Sequence, residues 1–296
     1  MSFTQKYFWL VVLSAIALGF IWVAPGLAIK PYLSYILIVM MTLSCIKIDP
    51  KNFRHLHKEW WRYLVILSFI FLVPTVCVYL FKSLVSSEVF IGLLIAAAVP
   101  SAVSVVFIAD LLGGEPVKAL VATTLAHLVS PIVTPFLVWF FAREIIQVDF
   151  VGMLILIIKL VIIPLVLAQI IRKIELHKHI VPNVSGINSI LLFILIWGII
   201  APGKELLWNN HRQFFFAILA VSAALLVETI VAIWFGRTKK EDITLVVVDS
   251  YKNFTLASVI AWSMFGPLAL VGAVAYGVMN NLMIAPLQYW SNHKNK

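Results

Sequence analysis

Apolar stretches of about 20 residues recur from one end of the chain to the other, separated by short polar connections. Each is long enough to cross roughly 30 Å of hydrocarbon as an α-helix. The stretches are rich in Leu, Ile, Val and Phe and show no period-two alternation. That excludes an outer-membrane barrel, whose strands are about 10 residues of alternating polarity. The pattern predicts ten spans, at 7–24, 31–48, 61–82, 88–112, 116–142, 149–172, 184–201, 213–235, 243–265 and 267–288. Met1 to Ala24 has the outline of a signal peptide with Lys6 as its charged region. The apolar stretch from Tyr7 to Val23 is long for that role and no clear cleavage site follows, so it is read as the first span.

Two spans are interrupted. The fourth carries Pro100 with Ser101 and Ser104, and the ninth carries Asp249-Ser250-Tyr251-Lys252-Asn253. Gly113-Gly114 and Gly266-Pro267 end these spans at a similar offset, and Pro131, Pro135 and Pro286 follow in the next spans. The halves therefore correspond, approximately 1–145 and 146–296 of a single transmembrane domain. Five spans per half is an odd number, so the second half must be inverted in the membrane. Paired interruptions in an inverted repeat point to a transporter's binding site.

Composition agrees with a lipid solvent: 62% of residues are hydrophobic and 12% are charged, against about a quarter charged in soluble domains. The net charge of +9 does not imply nucleic acid, because the basic residues sit in short loops. Taking the ten spans in order, 15 Lys and Arg residues fall on the side of the termini and 5 on the other. The first group includes Lys6, Arg54, Arg62, Lys118, Arg172 and Lys294. This is a positive-inside signal for a multi-pass inner-membrane protein with both termini cytoplasmic. Cys45 and Cys77 lie inside apolar runs without metal-binding spacing, so no disulfide framework, metal or cofactor is expected.

Charge inside the spans is the candidate chemistry. A proline removes a helical hydrogen bond and disfavours helix just before it. The groups freed at Pro100 need protein partners or a water-filled cavity. In the ninth span Asp249 and Lys252 are i,i+3, which in a helix makes an ion pair, and Asn253 adds a further polar group. Glu228 and Lys159, deep in the eighth and sixth spans, are candidate coupling groups, since intramembrane charges mark ion or proton paths. Asp110 is placed near a span end, in water. In the fifth span Thr123 and His127 share a face, with Thr124 beside them. No phosphate-binding loop, GxSxG or HExxH occurs, so the chain is not read as an ATP-driven pump or an enzyme.

Four stretches resemble the bile acid:sodium symporter family and its relatives: Ile36 to Ile48, Pro100 to Gly114, Ala119 to Pro135, and Lys252 to Ala257 followed by Phe265-Gly266. The likeness lies in their order and spacing and covers most of the chain. It implies an all-α fold of ten transmembrane helices in a panel and a core unit, with discontinuous helices 4 and 9 crossing at their unwound centres. It also implies an organic-anion substrate bound beside the crossing, alternating access by rocking, and sodium as the usual coupling ion. The resemblance places the family's sodium-binding Ser-Asn pair on Val105-Val106, a hydroxyl ligand on His127 with another kept by Thr123 or Thr124, the sodium-binding glutamate on Val248, and a glutamine on Lys252. Valine side chains cannot coordinate sodium, and an ammonium at Lys252 supplies the charge itself.

The expected function is therefore a sodium-independent carrier of a small organic anion, proton-coupled or facilitative, with Lys252 in place of a sodium ion. The substrate and ion site is expected at Pro100, Ser101, Ser104, Thr123, Thr124, His127, Asp249, Lys252 and Asn253. The alternatives are a sodium-coupled symporter and a non-transporting interaction or sensor protein on a transporter fold. Arsenite efflux would want a thiol near the fourth-span break, and both cysteines are elsewhere.

Overall fold

The computed structural model describes residues 8–53 and 56–293. Tyr7, Lys6, Arg54, Lys294 and Lys296, used above for the first span and the loop charges, lie outside the described residues. The helices are α1 (Phe8–Ile21), α2 (Val23–Ile29), α3 (Leu33–Cys45), α4 (Leu56–Tyr79), α5 (Ser87–Ala98), α6 (Val105–Leu111), α7 (Pro116–Ala142), α8 (Phe150–Ile157), α9 (Ile163–Lys173), α10 (His177–Asn209), α11 (His211–Phe235), α12 (Lys239–Ser250), α13 (Phe254–Phe265) and α14 (Leu270–His293). A 3-10 turn at Lys30–Tyr32 joins α2 to α3, and a π-helical turn at Ile158–Ile162 joins α8 to α9. No strand occurs among the described residues. Seven of the helical stretches are long and apolar enough to cross a membrane.

Boundaries differ from the sequence reading where proline is involved. Val23 to Cys45 is one helical stretch, because Pro25 sits in the first turn of α2 and Pro31 starts the 3-10 turn. Those are positions where the missing N–H is not needed. The seventh stretch runs from His177 to Asn209 with Pro182 and Pro202 inside it.

The helices pack in two groups. Helix α10 lies against α1, α2 and α3, and α9 against α3; the rest surround α5 and α12. Large apolar side chains such as Leu64, Ile132, Ile155, Ile230 and Trp234 are exposed on the outside, as lipid-facing residues should be. The second group is knotted at one end by Glu241, at the start of α12. Its Oε1 lies 2.5 Å from Arg62 Nη2 of α4 and 2.9 Å from Lys118 Nζ of α7. In the loop after α3, the Lys51 amide and the Arg172 guanidinium hold the Asp49 carboxyl below the usual carboxylate range.

Two long apolar stretches are broken. Helix α5 ends at Ala98 because Val99 precedes Pro100 and is extended (φ −79°, ψ 157°). Helix α6 resumes at Val105. The other break is Tyr251 to Asn253, between α12 and α13.

Candidate transport site

The two breaks meet. Ser101 and Lys252 form an antiparallel bridge. The Ala102 N–H donates to the Tyr251 carbonyl at 2.8 Å, and the Asn253 N–H donates to the Pro100 carbonyl at 3.0 Å. Each break thus satisfies backbone groups that the other frees, which is what non-helical backbone at membrane depth requires. Side chains complete the joint: the Ser101 hydroxyl donates to the Val248 carbonyl at 2.5 Å, Thr134 of α7 donates to the Ala98 carbonyl at 2.7 Å, and the Asn280 amide of α14 donates to the Lys252 carbonyl at 3.1 Å. Asn253 caps α13, accepting from the Leu256 N–H at 3.2 Å and from the Thr255 hydroxyl at 2.9 Å.

On one side of the joint lies a cavity of about 370 Å³, within the range of small-molecule sites. Met40, Met41 and Ser44 of α3 and Asn188 and Leu192 of α10 form one wall. Ser104 and Phe107 of α6, with Tyr251, Asn253 and Thr255, form the other. The cavity therefore lies between the two helix groups. It runs to the exposed Lys47 and Asp110, at the end of the molecule where α3 gives way to its following loop. At the opposite end of α3, the Lys30 ammonium sits 4.4 Å from the ring centre of Trp262 on α13. The Asn188 amide donates to the Ser44 hydroxyl at 2.7 Å.

On the other side of the joint the interior is closed. Lys252 is fully buried and does not line the cavity. Its ammonium donates to the Ile70 carbonyl of α4 and lies 3.4 Å from Glu228 Oε1 of α11. Ile70 precedes Pro74 by one helical turn. Pro74 has no N–H to offer that carbonyl, and the lysine supplies the missing donor.

The expected side chains are thus divided. Pro100, Ser101, Asp249, Lys252 and Asn253 belong to the joint, but only Ser104 and Asn253 of the nine reach the cavity. The Asp249–Lys252 ion pair is not formed. Helix α12 stops at Ser250, so i,i+3 geometry is lost, and Lys252 pairs with Glu228 instead. Asp249 is fully buried, and neither its oxygens nor those of Glu228 have a hydrogen-bond partner among the described residues. On α7 the Thr124 hydroxyl only returns to the Leu120 carbonyl, 2.7 Å away, and the His127 Nδ1–H donates to the Thr123 carbonyl at 2.7 Å. The Thr123 hydroxyl is buried without a partner among the described residues. Lys159 is exposed on the π-helical turn and is not among the residues that form the joint.

The positions that the family resemblance gives to sodium do not fit that ion. Val105, Val106 and Val248 bring no side-chain oxygen, the Val248 carbonyl is taken by Ser101, and Lys252 brings a cation. A hard cation wants several oxygen ligands.

Sequence reasoning missed Ser44, Asn188 and Thr255, which line the cavity, and Tyr276 and Asn280, which are buried on α14. Single polar residues on separate apolar helices carry no spacing signal. The freed Ile70 carbonyl was readable, from a proline four residues later.

Residues 34–210 match the model of a family described as the Sodium Bile acid symporter family. Over 299 aligned residues the chain is 22% identical to the Bacillus subtilis (strain 168) protein named "Uncharacterized sodium-dependent transporter YocS", with 97% of this chain and 91% of that protein covered.

Proposed function

The chain belongs to the sodium bile acid symporter family, and from that premise we propose a secondary transporter that carries a small organic anion by alternating access and needs no sodium. The observation that carries this reading is the cavity of about 370 Å³ that ends on the two joined breaks. Its walls come from the two helix groups, so a rocking of one group against the other opens and closes it. Hydroxyl and amide groups at Ser44, Ser104, Asn188 and Asn253 sit among methionine, leucine and phenylalanine side chains. That mixture suits an ion with a carbon skeleton.

The ten-span inverted repeat, as one domain with halves near 1–145 and 146–296, is part of the proposal. The two short half-helix pairs, α5 with α6 and α12 with α13, supply the fourth and ninth spans. With both termini in the cytoplasm of an inner membrane, the cavity opens inward and the Lys30–Trp262 contact closes the outside. Sodium independence rests on Val105, Val106 and Val248, and on Lys252 holding a permanent positive charge beside the crossing.

A sodium-coupled symporter is the second reading, favoured by the printed name of the Bacillus relative. Uptake of radiolabelled small carboxylates into proteoliposomes, in sodium and in choline buffers, separates the two. Equal uptake in both salts, lost in Asn253→Leu, supports the first reading. Uptake only in sodium establishes the second. No uptake of any anion from the panel in either salt contradicts both.

A further inference from the structure

We propose that Asp249 is a proton-binding site: its carboxyl is neutral in the closed interior behind the crossing, and its proton is the ion that couples transport. This deepens the reading above and rests on it. The argument begins with charge. Lys252, Glu228 and Asp249 are each at most 1% exposed. Fully ionised, they leave one net negative charge in a site walled by apolar side chains. An isolated buried charge is expensive enough that the group neutralises instead.

Ion pairing identifies which carboxyl does so, because the oxygens of both lack a hydrogen-bond partner among the described residues. Lys252 is fixed between the Ile70 carbonyl and Glu228, so one ammonium and one carboxylate already balance. Tyr276, fully buried, has a hydroxyl with no hydrogen-bond partner among the described residues and acts electrostatically on Glu228. Asp249 has no such ion pair, and no donor among the described residues reaches Oδ1 or Oδ2. With the one ammonium paired to Glu228, a neutral carboxylic acid at Asp249 avoids an unpaired buried charge.

Among the described residues, the surroundings hold no other cation for Asp249. Glu228 on α11 and Lys252 are the charged groups acting on it. Helix α14 brings Tyr276 and α4 brings Cys77, both beside Glu228. Helix α7 brings His127, bound to the Thr123 carbonyl. Helix α6 brings Asp110, which is exposed in the cavity. Glu241, with Arg62 and Lys118, is two helical turns away at the start of α12. Access is built into the joint: Tyr251, two residues on, lines the cavity. A rocking motion that loosens the break exposes Asp249 to water on one side and then the other. One O–H bond forms and the same bond breaks in each cycle, and the proton passes from water to water.

Infrared spectroscopy of the purified full-length protein tests this without a known substrate. At neutral pH in choline buffer the wild type should show a buried carboxylic acid band. Asp249→Asn should lose it and Asp249→Glu should shift it. No such band in the wild type, its survival in Asp249→Asn, or an unshifted band in Asp249→Glu overturns the proposal. Loss on exchanging choline for sodium at constant pH also overturns it, by showing that a metal cation displaces the proton. The uptake experiment judges sodium independence separately. Sodium-dependent uptake with the band still on Asp249 defeats the transport reading and the coupling role together, and leaves the proton site itself.

Discussion

Removing the Lys252 ammonium should unfold the joint's support, and the size of the effect follows from its surroundings. In Lys252→Met the side-chain volume is nearly kept, so packing is a minor term. Two polar losses dominate. Glu228, 1% exposed, is left without its partner at 3.4 Å. Breaking one side of a buried pair costs about 3–5 kcal/mol. Protonation caps that figure. Placing a proton on a carboxyl at pH 7 costs about 1.4 kcal/mol per unit above a solution value of ~4.3, or roughly 3.7 kcal/mol. The Ile70 carbonyl, with Pro74 one turn on, loses its donor for a further ~1–3 kcal/mol. Together they predict a loss of about 4–7 kcal/mol at pH 7. The sign with pH is fixed. A folded variant that must hold a proton on Glu228 binds more protons than its unfolded chain, so the defect grows as pH rises above ~4.3 and shrinks toward it. Adding Glu228→Gln to Lys252→Met should recover more than half of the loss and abolish its pH dependence. The assay is equilibrium unfolding in mixed micelles from pH 5 to 8. A single variant within about 1 kcal/mol of wild type, or a double variant no better than the single, would refute the ion-pair account.

Other consequences are equally direct. Gly92 of α5 and Gly272 of α14 pack backbone to backbone; a Cβ at Gly92 would overlap the Ala269 carbonyl, and one at Gly272 would overlap the Leu93 amide. Gly92→Ala and Gly272→Ala should each destabilise by at least 1–3 kcal/mol in the same unfolding assay, since overpacking here has only backbone to displace. Ser101→Ala removes the bond to the Val248 carbonyl and should cost about 1 kcal/mol, also read by unfolding. Trp262→Ala removes the Lys30 stack, worth roughly 0.5–1 kcal/mol at an exposed site. It should raise the reactivity of a cysteine placed at Ser258 toward an impermeant external thiol reagent several-fold.

Much of the architecture was legible because membrane helices announce themselves by length and the interruptions by composition. Pro100 and the polar run from Asp249 to Asn253 mark the two breaks, since neither can continue a helix in lipid without partners. What stayed hidden depends on where chains meet. The Asp249–Lys252 spacing implied a pair only for an unbroken helix, and the break that makes the site is what separates them. Glu228 lies 24 residues earlier, so only packing shows that it takes the lysine. Lys159 looked like a buried charge from its position at mid-span, yet one side of a lipid-facing helix is as apolar in sequence as the other. The cavity wall at Ser44 and Asn188 is assembled from distant helices and leaves no pattern in either.

The central claim is that an organic anion binds beside the crossing without sodium, and thermal stability tests it most directly. Purified protein would be heated with a panel of small mono- and dicarboxylates and with taurocholate, each in sodium and in choline buffer. Only a ligand that prefers the folded state stabilises it, by about 2.7 kcal/mol at one hundred times its dissociation constant. The account predicts at least one anion that raises the unfolding temperature equally in both salts and loses its effect in Asn253→Leu. Stabilisation that appears only in sodium would contradict it, and would mean that a sodium site has been rebuilt from other oxygens around the joint.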